Sequence, residues 1–194
     1  MAISSDFSTP DRIVLGVDPG TNVMGYGILR IVGKKTEYIA MGIVDLRKIE
    51  DPYLKLKTIY NKTIEIIEKF LPDEFAIEAQ FFGKNVQSML KLGRAQGVAI
   101  SAALQRDLPI AEYAPLKVKM AITGNGSASK EQVAKMLQNL LHIPKEDLET
   151  KFDATDALAI ALCHYYETKS PLKEKKFSSW ADFAAKNESR VHKK

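Results

Sequence analysis

The chain has 194 residues, 45% hydrophobic and 27% charged, which suits one globular domain with a full core and is short for two. No apolar run approaches the ~20 residues of a membrane span, Met1–Ser8 lacks the basic and apolar regions of a secretion signal, and the single Cys163 excludes an internal disulfide and a multi-cysteine zinc site, so a cytoplasmic location is expected. The net charge of +4 belongs to the end of the chain, because residues 169–194 hold eight Lys or Arg against three acids while the first 168 residues hold 20 against 21.

Three parts are expected: a Ser-rich flexible leader over 1–12, a folded domain over 13–168 and a basic tail over 169–194. The domain opens with Ile13-Val14-Leu15-Gly16-Val17, a β-branched run patterned as a strand buried on both faces, and this strand ends on Asp18 before a Pro19-Gly20-Thr21 turn. Asp-Pro-Gly is good turn chemistry. A carboxylate at the end of a buried strand also needs a cation or a donor, since desolvation penalises its charge. Residues 25–32 and 37–45 read as two more strands, joined by a hairpin through Gly33-Lys34-Lys35 into an antiparallel meander. Asp51-Pro52 then caps and opens a helix whose apolar positions Leu56, Ile59, Tyr60, Thr63, Ile67, Phe70 and Leu71 follow the 3.6-residue period.

Phe75-Ala76-Ile77 forms a second apolar strand delivering an acid, Glu78, to its carboxyl end. If a right-handed crossover makes this strand a parallel neighbour of the first, Asp18 and Glu78 emerge side by side and either repel, raise one pKa or recruit a cation. Phe81 and Phe82 follow in a loop context, where one fits the core and the other fits a stacking platform for a base. The helix predicted over 86–105 contains Gly93 and Gly97, whose destabilising presence suggests close approach of another backbone, either the sheet or the same helix of a second subunit. A short strand over 109–113 and a short helix over 115–123 lead to the loop 124–130. There Ser129 and Gln132 form a capping box, and the loop with Lys117, Lys119 and Lys130 makes a fair phosphate site without Walker A spacing. Residues 80–135 carry eight basic residues against three acids, which fits a solvated helical surface or a face for an anionic polymer.

After Pro144 an acidic, polar linker is expected, then a helix opening on Asp153-Ala154-Thr155-Asp156. Acids three apart share a helix face, either as caps that complement the helix dipole or as ligands. The tail segment 179–186, with Trp180 and Phe183, fits either a short docking helix or disorder. Together Asp18, Glu78, Asp153 and Asp156 form an oxygen-only donor set suited to Mg²⁺ or Mn²⁺, sufficient for two ions acting on a phosphodiester.

The motifs Gly16-Val17-Asp18-Pro19-Gly20-Thr21, Gly25-Tyr26-Gly27, Ala76-Ile77-Glu78, Lys84-Asn85, Ala95-Gln96-Gly97-Val98-Ala99, Glu112-Tyr113-Ala114, Gly124-Asn125-Gly126-Ser127-Ala128 and Asp153 through Ala161 occur in order over residues 12–166. By these the chain resembles the RuvC family of Holliday junction resolvases, bacterial endonucleases of the ribonuclease H-like α/β fold. The resemblance implies a mixed five-stranded sheet flanked by helices, with Asp18, Glu78, Asp153 and Asp156 as catalytic carboxylates and metal ligands. It matches Phe81 to a base-stacking aromatic, and Lys119 and Lys130 to basic residues of junction binding and catalysis; Lys84 and Lys117 join them as DNA-binding candidates. It further implies two Mg²⁺ ions per site with Mn²⁺ able to substitute, and a homodimer formed through the region after Glu78. The implied activity is paired symmetric nicking of strands of like polarity in recombination and repair, alongside a branch-migration motor of the RuvA and RuvB type. The leader, Phe82 and the Trp180 tail depart from the family pattern. Rival readings are a nuclease of structured RNA, an inactive junction-binding module, and a sugar kinase or actin-like ATPase, which would need a second lobe.

Overall fold

The computed structural model describes residues 11–80, 85–148 and 152–169. Its elements run β1 (Arg12–Asp18), β2 (Val23–Val32), β3 (Lys35–Asp45), α1 (Pro52–Phe70), β4 (Glu74–Glu78), α2 (Val86–Leu104), β5 (Ile110–Tyr113), α3 (Pro115–Thr123), α4 (Lys130–Leu141), α5 (Lys145–Leu148) and α6 (Phe152–Lys169). The five strands form one mixed sheet in the order β3-β2-β1-β4-β5, with the first three antiparallel and β1, β4 and β5 parallel. This is the sheet expected of the ribonuclease H-like fold. Gly33, at φ 60°, makes the tight turn that joins β2 to β3.

Local chemistry explains the element ends. Asp51 caps α1 by accepting from the backbone N–H groups of Tyr53 and Leu54, with Pro52 in the first turn. Gly124, at φ 72°, terminates α3, and the Ser129–Gln132 capping box starts α4. Arg12 belongs to β1 rather than to a leader, and it reaches across the sheet edge to Glu74 at 2.7 Å. The stretch expected to be a linker after Pro144 instead contains α5, tied to the sheet by the Tyr38 hydroxyl donating to Asp147 at 3.0 Å.

Two apolar layers sandwich the sheet. Leu15, Val17, Ile28, Phe75 and Ile77 face α1 and α2, and Val14, Leu29, Ile31 and Ala76 face α6 with α3 and α4 beside it. Strand alternation separates the two sets. Helix α6 lies unusually close to β1 and β2 because Gly16, Gly25 and Gly27 leave it room. A Cβ on Gly16 would stand 2.1 Å from the Ala157 carbonyl oxygen, and one on Gly27 would stand 2.5 Å from the Leu158 Cα. Of the two alternatives for Gly93 and Gly97 of α2, the sheet or a second subunit, the sheet is excluded. The alanines Ala95, Ala99, Ala102 and Ala103 turn inward, while a Cβ at either glycine would meet nothing within 4 Å. No described helix is long and apolar enough to cross a membrane.

Candidate active site

Two strand ends and one helix start meet at one edge of the sheet. In the parallel β1–β4 pairing Val17 lies opposite Ile77, so the next residues, Asp18 and Glu78, close adjacent strands together. Both fall on the alternation of Gly16 and Ala76, the face that α6 covers. The glycine groove brings the first turn of α6 to the same place: a Cβ on Gly25, which pairs with Asp18, would stand 2.1 Å from the carbonyl oxygen of Asp153. Asp153 and Asp156 follow from that placement, within the helix that begins at Phe152, so Asp153 is a first-turn residue and not the cap.

Lys130 opens α4 beside these acids. Its Nζ lies 2.5 Å from Asp156 Oδ2 and 3.7 Å from Asp153 Oδ1. The capping box holds this residue in place, since Ser129 accepts from the Gln132 N–H and the Gln132 side chain accepts from the Ser129 N–H at 2.8 Å. Burial pulls the Lys130 ammonium down, but the hydrogen bond it donates to Asp156 and the fields of Asp156, Asp18 and Asp153 outweigh it and raise the pKa.

The site carries excess negative charge. Desolvation, then the fields of Asp156 and Asp153, push Asp18 up to about 6 against the pull of Lys130. Desolvation, then Asp18 and Asp156, push Glu78 up to about 7, opposed by Lys130 and Lys119. Two neighbouring carboxylates lifted in this way mark a place that a cation would stabilise. The donors are all oxygens, which suits a hard divalent ion. Among the described residues no group of three or more His, Cys, Asp or Glu side chains is gathered closely enough to hold a metal ion as it stands, and Lys130 supplies the positive charge at Asp156.

The structure distributes the basic candidates unevenly. Lys130 contacts the acids, and Lys119 is near enough to lower Glu78. Lys117 is engaged elsewhere, 2.6 Å from Glu167 and 5.6 Å from the centre of the Tyr113 ring. Glu167 lies eleven residues beyond Asp156, about 16 Å along α6. Phe81 and Lys84 lie outside the described residues, as do Phe82 and the tail with Trp180 and Phe183.

Supporting contacts carry no sequence signal, because their partners are remote along the chain. Gln96 of α2 donates from Nε2 to the Glu78 carbonyl oxygen at 3.0 Å and to Glu112 Oε2 at 2.8 Å. Lys55 of α1 donates to the Thr21 carbonyl and to Asn22 Oδ1, both at 3.1 Å, holding the turn after Asp18. Behind the site His164, buried on α6, bridges the Tyr113 hydroxyl at 2.8 Å and Glu74 at 2.6 Å. Tyr113 pairs with Glu78 across β4 and β5, so this network braces the strand end that bears the acid.

Comparison with known proteins identifies the family. Residues 14–164 match the family model described as crossover junction endodeoxyribonuclease RuvC. The crossover junction endodeoxyribonuclease RuvC of Bacteroides fragilis is 64% identical over 181 residues, spanning 93% of this chain and 96% of that protein. That of Porphyromonas gingivalis is 55% identical over 187 residues, spanning 95% and 99%. Among solved structures, Thermus thermophilus RuvC in complex with Holliday junction substrate superposes with a TM-score of 0.74 at 31% identity, over 81% of this chain and 95% of that one. The yeast mitochondrial Holliday junction resolvase Ydc2, at 18% identity and a TM-score of 0.56 over 77% and 76% of the two chains, shares the fold. With four acids gathered on a ribonuclease H-like sheet edge and full-length relatives of one name, the chain belongs to the RuvC family of crossover junction endodeoxyribonucleases, the Holliday junction resolvases.

Proposed function

We propose that this chain acts as a homodimer that resolves a four-way DNA junction by paired nicks in strands of like polarity. Asp18, Glu78, Asp153 and Asp156 would hold two divalent ions, Mg²⁺ with Mn²⁺ able to substitute. The observation that carries the reading is the convergence of these acids from three segments, with Asp18 raised to about 6 and Glu78 to about 7. When bound, the ions would activate water and stabilise the leaving oxygen of the phosphodiester.

The chain's own residues do the rest. Lys119 and Lys130 place positive charge beside the carboxylates, which counters their repulsion of the substrate phosphate. For an ion to take up Asp156, the Lys130 ammonium must leave it, and a phosphate oxygen is its natural next partner. Gln96 and Lys55 hold the two strand ends still, so the acids need little reorganisation. Lys117, Lys84 and Phe81 remain candidates for contacts further along the DNA, and a branch-migration motor of the RuvA and RuvB type is the proposed working partner.

The decisive experiment offers the protein a labelled four-way junction, a duplex and an RNA hairpin, each with Mg²⁺ and with EDTA. Paired cuts in the junction alone, dependent on Mg²⁺, are expected. Cutting of the hairpin alone would assign a structured-RNA nuclease, and junction binding without cutting under any metal would assign an inactive module. Asp18→Asn is expected to abolish cutting and leave junction binding in EDTA intact. Equal loss of both would overturn the metal role.

A further inference from the structure

A basic fork sits on the opposite flank of the acid cluster from Lys119. Asp45 ends β3 and pairs with Val23, while two residues further along β2 Gly25 lies beneath the Asp153 carbonyl. The turn leaving β3 therefore shares the sheet edge with Asp153. That turn is fixed: the Leu46 N–H donates to the Asn22 carbonyl at 2.8 Å, and the buried Leu46 side chain anchors it.

Arg47 is held on this turn by Asp45. Its Nε donates to Asp45 Oδ1 at 2.9 Å, its Nη2 to Oδ2 at 2.8 Å, and its backbone N–H to Oδ1 at 3.0 Å. A guanidinium has five N–H donors, and this fork engages one edge of it while the side chain remains 64% exposed. The outward edge is presented to solvent in a set orientation. Arg47 also feels the field of Asp153, which places it on the cluster's side of the turn, and Lys48 adds a second positive charge near Asp45. An exposed pair of this kind contributes little to stability. Orientation of a guanidinium is what bidentate phosphate recognition requires.

We infer that Arg47, oriented by Asp45, is a phosphate clamp for the DNA strand to be cut, so that the strand crosses the acid cluster from the β4 side, where Lys119 lies, to the β3 side. The inference rests on the junction-cleaving reading above and assigns the path of the substrate through that same site. Along the sheet edge the order is the turn after β3, Asp153 over β2, Asp18 on β1 and Glu78 on β4. From β3 to β4 is three strand spacings, about 14 Å, so the clamped phosphate lies within a few nucleotides of the scissile one and on one side of it only.

The test compares wild type, Arg47→Ala, Arg47→Lys and the control Arg106→Ala, whose partner Glu68 lies on α1 far from the acids. Junction affinity is measured in EDTA across a salt series. Arg47→Ala is expected to weaken binding roughly 5- to 10-fold and make the log–log salt slope shallower by about 0.9, the release of one phosphate contact. Arg47→Lys is expected to keep the slope, and Arg106→Ala to match wild type. Cutting is then measured on junctions carrying a single methylphosphonate at each of three positions either side of the cut. Wild type is expected to slow at one position, and Arg47→Ala to show no further loss there. An unchanged slope in Arg47→Ala, or a position profile identical to wild type, overturns the clamp. Melting temperature is followed in parallel, and a large drop in Arg47→Ala together with a wild-type slope in binding would assign a structural role only. If wild type binds junctions and does not cut them, the reading above fails while the salt slope still decides the clamp; if it does not bind them, both fall.

Discussion

At the scale of single residues, the acids carry opposite consequences for folding and for activity. Burial and the neighbouring carboxylates push Asp18 up to about 6 and Glu78 up to about 7, above their ordinary values of 3.8 and 4.5. A raised folded pKa means that the stabilising contribution is complete below the unfolded value and is lost as pH rises through the folded one. Asp18→Asn is therefore expected to stabilise the fold at pH 8 in EDTA by roughly 1 to 3 kcal/mol, seen as a higher melting temperature, and to have little effect near pH 3. Differential scanning calorimetry at the two pH values checks this, and a stabilisation equal at both would contradict it. Activity runs the other way, because ligands must be deprotonated to hold a metal. The Mg²⁺ concentration for half-maximal cutting is expected to rise at least about tenfold between pH 8 and pH 6. Lys130→Ala removes a field that lowers both acids, so the acid limb of its pH–rate profile should move to higher pH, on top of a lower maximal rate. A limb that stays in place while the maximum falls would leave Lys130 only a role in binding substrate.

At the scale of elements, α6 is the part on which the site depends, and glycines decide its position. Gly27→Ala would put a methyl group 2.5 Å from the Leu158 Cα, a backbone contact that cannot yield without moving the helix. A loss of about 1–3 kcal/mol is expected, with a fall in cutting because the same helix carries Asp153 and Asp156. Gly93→Ala meets open space on α2 and should stabilise an isolated subunit by about 1 kcal/mol. If α2 pairs with its counterpart in the proposed homodimer, that substitution weakens the dimer instead. Sedimentation equilibrium of Gly93→Ala against wild type separates the two, since an unchanged dimer constant would remove this face of α2 from the subunit contact. From the sequence Gly93 and Gly97 suggest close approach of another backbone, either the sheet or a second subunit, and the structure removes the sheet from that pair of readings. The exclusion depends on which face the alanines turn inward, and that follows from the docking of α2 as a whole.

At the scale of the whole molecule, a near-neutral body of 20 Lys or Arg against 21 acids over residues 1–168 carries four of those acids at one sheet edge with Lys119 and Lys130 beside them, a local arrangement from which salt-dependent DNA binding is expected. Junction affinity in EDTA should fall steeply with salt, and Lys119→Ala should flatten that dependence by about one contact; a flat series for wild type would overturn the assignment of the basic surface. The sequence by itself determined the alternation of strands and helices, the delivery of Asp18 and Glu78 to strand ends, and the caps at Asp51, Gly124 and Ser129. These are local matters, written in periodicity and in turn residues a few positions apart. The segment after Pro144 reads as a linker in the sequence and is a helix in the structure, because α5 is a single turn, too short for a period to show, and it is tied to Tyr38 more than a hundred residues away. Only the tertiary structure decided that Lys130 rather than Lys117 reaches the acids, that Gln96 holds Glu78, and that Arg47 feels the field of Asp153. Each of those depends on the register of β1 with β4 and on how deeply the glycine groove lets α6 settle, distances set by backbone packing across the fold and by no spacing along the chain.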